Sequence, residues 1–247
     1  MLTASQFNDD PALTNRFMAP ILPSLSRQRA VNGRELEKTK VVVMDFDGTL
    51  VDTMGGFAEV ASRVLNRFFK TPIEEARQQY LETSGLPFRQ QLEILHPGDP
   101  RNEQAAQQFE QEKLKGFFAK RMDEETKQVV RELKRRGYTV VVSSNNYQEL
   151  VDLFIAREKD CHFDLVLGAK NGFYKGKDHF GFICKRFGVR PQEIVFVGDS
   201  LMDFERARES QVGFIAKLGT FKKEDFEKRF GKIVSIKSLI KLLELLP

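Results

Sequence analysis

The sequence predicts an α/β fold: a doubly wound parallel sheet with a helical domain inserted after its first strand. Three observations predict it. The first is the stretch 41–50, VVVMDFDGTL, whose apolar β-branched start marks a strand buried on both faces. The second is the segment 57–120, which has helical spacing throughout and no strand signal. The third is the alternation of short apolar runs with amphipathic segments from Asp123 onward, the pattern of βαβ units. Right-handed crossovers then place helices on both faces of the sheet.

Taken in order, residues 1–38 are polar, Pro-containing and weakly periodic, and read as an N-terminal extension. The α/β core is expected over 39–54 and 122–247, and the helical cap over 55–121. Gly55-Gly56 is a hinge candidate because two glycines relax the backbone, with a second linker near 120–124. In the cap, FAEVASRVLNRFF is the first helix. The second starts with Thr71 as N-cap, Pro72 at the first helical position and Glu74 at the third, and stops at Gly85. LPFRQQLEIL and NEQAAQQFEQEKLKGFFAK are the third and fourth, separated by the loop HPGDP.

Past Asp123, DEETKQVVRELKRRG places acids first, bases last and Gly137 as its stop, as the helix dipole favours. YTVVVSSNN is the second strand, FDLVLGA the third, EIVFVGDS the fourth and VGFIAKL the fifth. Helices QELVDLFIAREKD, a loop-then-helix segment ending at Gly188, and LMDFERARESQ separate them. The apolar-periodic SLIKLLELL closes the chain.

Composition narrows the function classes. The 247 residues carry 39 basic and 35 acidic side chains, a net charge of +4 with both signs interspersed, which argues against nucleic-acid binding. Cys161 and Cys184 lack metal spacing and fit a reducing cytosol. No run approaches the ~18 apolar residues of a membrane span. The first 30 residues, broken by Pro11, Pro20 and Pro23, lack a secretory pattern, so a cytoplasmic location is expected.

In a sheet of this kind ligands sit outside the carboxyl ends of the strands. DFDGT, SSN and GDSLMD would therefore share one rim. Converging there, Asp45, Asp47, Asp199 and Asp203 repel one another unless a cation binds. Oxygen donors select a hard ion, Mg²⁺ rather than zinc. Thr49, Ser144, backbone N–H groups near Gly48 and a lysine supply donors for a phosphoryl group.

DFDGTLVDT, SSN, a lysine-bearing loop and GDSLMD resemble, in that order, the four motifs of the haloacid dehalogenase-like (HAD) hydrolase superfamily. The resemblance runs from Val41 to the end of the chain. It implies a Rossmann-like core, and the long insert is similar to that of helical-cap members such as the phosphoglycolate phosphatase-like and β-phosphoglucomutase-like enzymes. It further implies that Asp45 is a nucleophile forming an aspartyl-phosphate and that Asp47 is the acid/base. Ser144 with Asn145, Thr49 and either Lys175 or Lys177 would bind the phosphoryl group. Mg²⁺ would be held by the side chains of Asp45 and Asp199 and the Asp47 carbonyl, with Asp203 ligating or orienting.

The function implied is a Mg²⁺-dependent phosphatase acting on a small phosphorylated metabolite, with the cap choosing the substrate. A sugar-phosphate mutase and a non-catalytic phosphate- or partner-binding protein are the alternatives. A dehalogenase is disfavoured because those relatives lack the second aspartate. Phosphonate cleavage would need a cap lysine such as Lys70, for which nothing indicates a depressed pKa. His179 and Arg89 read as structural and surface residues.

Overall fold

A computed structural model describes residues 36–247. The expected N-terminal extension lies outside the described residues except for positions 36–38, where Leu36 is buried. The chain divides into two compact units, one spanning Gly56–Phe117 and the other Phe118–Pro247 together with residues 36–55.

The first unit is helical. It holds most of α1 (Met54–Phe69), then α2 (Ile73–Glu82), α3 (Phe88–Leu95) and α4 (Asn102–Phe117). Phe57, Tyr80, Phe88 and Phe109 form its aromatic core; the Phe88 and Phe109 rings stack at 4.2 Å. Pro72, not Thr71, is the N-cap of α2, so Glu74 is the second helical residue rather than the third. Pro72 makes no side-chain cap hydrogen bond; its prolyl φ of −55° is preorganised for entry instead. Gly55 and Gly56 lie inside the first turn of α1, and the division between the units falls between them.

The second unit contains a six-stranded parallel sheet of order β3-β2-β1-β4-β5-β6. The strands are β1 (Val41–Asp45), β2 (Thr139–Tyr147), β3 (Leu165–Ala169), β4 (Ile194–Gly198), β5 (Gly213–Lys217) and β6 (Ser235–Ile236). The connecting helices are α5 (Glu124–Arg135), α6 (Gln148–Ala156), α7 (Lys177–Phe187), α8 (Leu201–Glu209), α9 (Lys223–Phe230) and α10 (Leu242–Leu245). Asp123 caps α5, its carboxylate accepting the Thr126 N–H at 2.6 Å.

β1 is central, paired with β2 and β4, and all five of its residues are buried. This explains its lack of polar alternation: helices cover both faces. On one face Val41, Val43, Val141, Phe196 and Phe214 pack with Phe180 and Ile183 of α7 and Phe226 of α9. Phe46 meets Phe154 of α6 edge-on at 4.9 Å. The sheet therefore delivers the ends of β1, β2 and β4 to one rim.

Candidate active site

The turn leaving β1 is closed by its own backbone. The N–H groups of Leu50 and Val51 both donate to the Phe46 carbonyl at 3.0 Å, and Gly48 N–H donates to Val51 O at 2.8 Å. Gly48 has φ +72°, and a Cβ there would stand 2.0 Å from Asp199 Oδ2. Only glycine allows both the turn and the approach of the β4 acid. Gly198 serves similarly beside Asp203, where a Cβ would meet the Asp203 side chain at 2.8 Å.

Asp45, Asp199 and Asp203 offer carboxylate oxygens that all lie within 4.8 Å of one another, and all three residues are buried. Lys175 answers two of them, its Nζ lying 2.8 Å from Asp45 Oδ1 and 2.8 Å from Asp203 Oδ1. The loop that carries it enters α7 through Gly176 at φ +118°, and its N–H donates to Asn145 Oδ1 at 3.2 Å. Lys175 is thus the lysine that reaches the acids. Lys177 is exposed at the start of α7, which corrects its expected place in the site.

Asp203 is bound most completely. It forms a capping box with Ser200, whose hydroxyl donates to Asp203 Oδ2 at 2.7 Å and accepts the Asp203 N–H at 3.1 Å. Arg206 adds a longer ion pair at 3.7 Å. Burial works to raise the Asp203 carboxyl, but Lys175 and Arg206 outweigh it and hold the group below its usual range. Asp45 goes the other way: burial raises it well above normal, Lys175 only partly offsetting this. Burial, followed by the charge of Asp203, pushes Asp199 up to about 7.

Asp47 belongs to the same rim but not to the acid triad. Thr53 Oγ1–H donates to its Oδ1 at 2.7 Å and Asn146 Nδ2–H to its Oδ2 at 2.7 Å. These contacts engage both oxygens of its carboxylate, which is not among the three clustered acids. They also constrain its chemistry. The Asn146 Nδ2 in this contact can only donate, whereas a hydroxyl both donates and accepts. A protonated Asp47 keeps both contacts when the proton sits on Oδ1 and the Thr53 hydroxyl turns to accept it.

The two serines of β2 divide. Ser143 pairs with Asp45 across the sheet, yet its Oγ lies 2.8 Å from His179 Nδ1 in the buried interior. Burial, helped by the charge of Lys175, depresses His179 to about 3, so its ring is neutral. Ser144, also buried, accepts the Asn146 N–H at 3.0 Å. Thr49 Oγ1 is buried without a hydrogen-bond partner among the described residues, a donor left over within the motif. Sequence reasoning missed Thr53, Asn146, Arg206 and Thr220, whose hydroxyl donates to Asp199 Oδ2. Thr53 carried a signal, since it lies within the DFDGTLVDT motif; the others became visible only through folding.

A hard divalent cation fits these residues. The donors are all oxygen, and the four acids Asp45, Asp47, Asp199 and Asp203 face the two cations Lys175 and Arg206, a deficit of two charges. Burial first, and the neighbouring acids after it, raise Asp45 and Asp199, so a cation that offsets both would favour their charged forms.

The profile of the haloacid dehalogenase-like hydrolases matches residues 42–217. The chain belongs to this family. It is accordingly an enzyme of the hydrolase class. Among curated proteins it is 28% identical over 182 residues to a phosphoglycolate phosphatase from Nitrosospira multiformis, covering 68% of this chain and 78% of the relative. It is 23% identical to a phosphoglycolate phosphatase from Synechococcus elongatus, covering 72% and 82%. Among solved structures, a haloacid dehalogenase-like family protein from Streptococcus pneumoniae superposes with a TM-score of 0.71 at 17% identity, covering 85% of this chain and 99% of the other. A haloacid dehalogenase-like hydrolase from Bacteroides fragilis gives 0.70 at 23%, covering 83% and 99%. These two likenesses are of fold.

Proposed function

We propose that this hydrolase is a Mg²⁺-dependent phosphatase that cleaves a small phosphomonoester through an aspartyl-phosphate on Asp45. The observation that carries the reading is the Lys175 ammonium bridging Asp45 and Asp203, with Asp199 completing the buried acid cluster. A lone structural ion pair would not need the third acid.

The Asp45 carboxylate attacks phosphorus, and the bond to the leaving oxygen breaks. Asp47, two residues on, gives that oxygen its proton. A water then attacks phosphorus and loses a proton to Asp47, the acyl-phosphate bond breaks, and inorganic phosphate leaves. Lys175 balances the charge of Asp45 and stabilises the phosphoryl oxygens as charge develops on them. Ser144, Asn145 and Thr49 supply further donors at the ends of β1 and β2. Asp45, Asp199 and the Asp47 carbonyl would hold Mg²⁺, with Asp203 ligating or orienting, and the bound ion would neutralise the phosphoryl oxygens.

The curated relatives are phosphoglycolate phosphatases, so 2-phosphoglycolate heads the substrates to be tried. The test is phosphate release from a panel of phosphomonoesters with Mg²⁺ and with EDTA, for the natural chain and for Asp45→Asn. Release with Mg²⁺ alone, abolished by the substitution, is expected. Equal turnover in EDTA, or no release from any monoester, overturns the reading.

A further inference from the structure

We propose that Thr220 is a positioning residue that fixes the Asp199 carboxylate for a divalent cation, acting from a loop no sequence motif marks. Asp45 and Asp203 are both held by the Lys175 ammonium. Asp199 is held by a neutral hydroxyl: Thr220 Oγ1–H donates to its Oδ2. The same oxygen faces Gly48, where even a methyl group would stand 2.0 Å away. One oxygen of Asp199 is thus boxed between the turn after β1 and the loop after β5. The plane of the carboxylate is set by that box, and its other oxygen remains for a cation.

The loop that carries Thr220 is itself anchored. Leu218 N–H donates to Ile236 O at 2.8 Å, tying it to the two-residue strand β6. Gly219, at φ +156°, turns the chain, and Phe221 is buried against Phe226 of α9 with ring centroids 6.1 Å apart. β6 and α9 therefore hold the hydroxyl over Asp199. A donor held in this way orders its ligand before the cation arrives, and removing such a partner costs about 10–100-fold in metal affinity.

The inference rests on the reading of the acid cluster as a cation site, and the experiment separates the two. Mg²⁺ binding to the full chain is measured by titration calorimetry without substrate, for the natural protein, Thr220→Val and Thr220→Ser. Thermal unfolding in EDTA verifies that each variant folds. Thr220→Val, nearly isosteric but without the hydroxyl, is expected to bind Mg²⁺ about tenfold more weakly. Thr220→Ser is expected within twofold of the natural protein, and the Mg²⁺ concentration that half-activates turnover should move in parallel with the dissociation constant. Unchanged affinity in Thr220→Val overturns the role of Thr220 alone. So does a serine variant that binds tenfold more weakly, since that points to lost methyl packing. A natural chain that binds no Mg²⁺ overturns the cation reading and this inference with it.

Discussion

The ammonium of Lys175 lies 2.8 Å from Oδ1 of Asp45, a residue 130 positions earlier in the chain. Both side chains are buried, and the same ammonium is equally close to Asp203. Removing it leaves buried acids facing one another with, among the described residues, Arg206 as the remaining cation paired to them. Breaking a buried pair in this way costs about 3–5 kcal/mol. Lys175→Ala is therefore expected to lose that much stability in EDTA, by urea unfolding, and to recover part of it in Mg²⁺. Phosphate release should fall by about a hundredfold or more, the cost of removing one electrostatic stabiliser. A variant as stable as the natural chain in EDTA would contradict the electrostatic account.

Gly48 gives a steric prediction. At φ +72° any side chain is strained by about 1–2 kcal/mol. Its Cβ would also overlap Asp199 Oδ2. Gly48→Ala should consequently displace the Asp199 carboxylate, weakening Mg²⁺ binding by more than tenfold in calorimetry while the protein still folds. Wild-type Mg²⁺ affinity in the alanine variant would show that Asp199 is not fixed where the geometry puts it.

His179 gives a pH prediction. Burial first, and Lys175 second, lower its pKa from 6.5 to about 3 in the fold. Between those values the unfolded chain holds a proton that the folded chain does not, so this contribution to stability is complete above pH 6.5 and lost as pH falls toward 3. The slope attributable to it is ~1.4 kcal/mol per pH unit. Comparing urea midpoints of the natural chain and His179→Gln at pH 7, 6 and 5 isolates the effect. The glutamine variant should show the shallower loss; parallel curves would mean that His179 does not remain neutral.

Phe46 separates the two motif acids and points to the opposite side, into Phe154. Cutting a fully buried phenylalanine to alanine costs about 3–5 kcal/mol. Phe46→Ala should lower stability by that amount in chemical unfolding, and turnover should fall because Asp45 and Asp47 are held apart by that anchor. A loss under 1 kcal/mol would show that the turn is held by its backbone bonds alone.

Much of this was legible in the sequence because the informative residues were local. VVVMDFDGTL announced a doubly buried strand and its rim in ten residues, and GDSLMD did the same for β4. The choice between Lys175 and Lys177 was not legible: both are lysines in one loop, and only the turn at Gly176 decides which is buried. The strand β6, two residues long, is too short to show a period, and α9, rich in charge, gave way to the louder apolar run that follows it. Thr220 was hidden for the same reason, since its significance comes from a partner 21 positions away across β4 and β5.

The strand order has a kinetic consequence. β1 pairs with β2 and β4, both distant in sequence, so the chain closes large loops before either pairing is rewarded. Until β4 is seated beside β1, Asp45 and Asp199 remain apart and the proposed cation site is not assembled. On the proposed reading Mg²⁺ would act after the slow search is over: it would delay unfolding of the finished protein without guiding the nascent chain toward it.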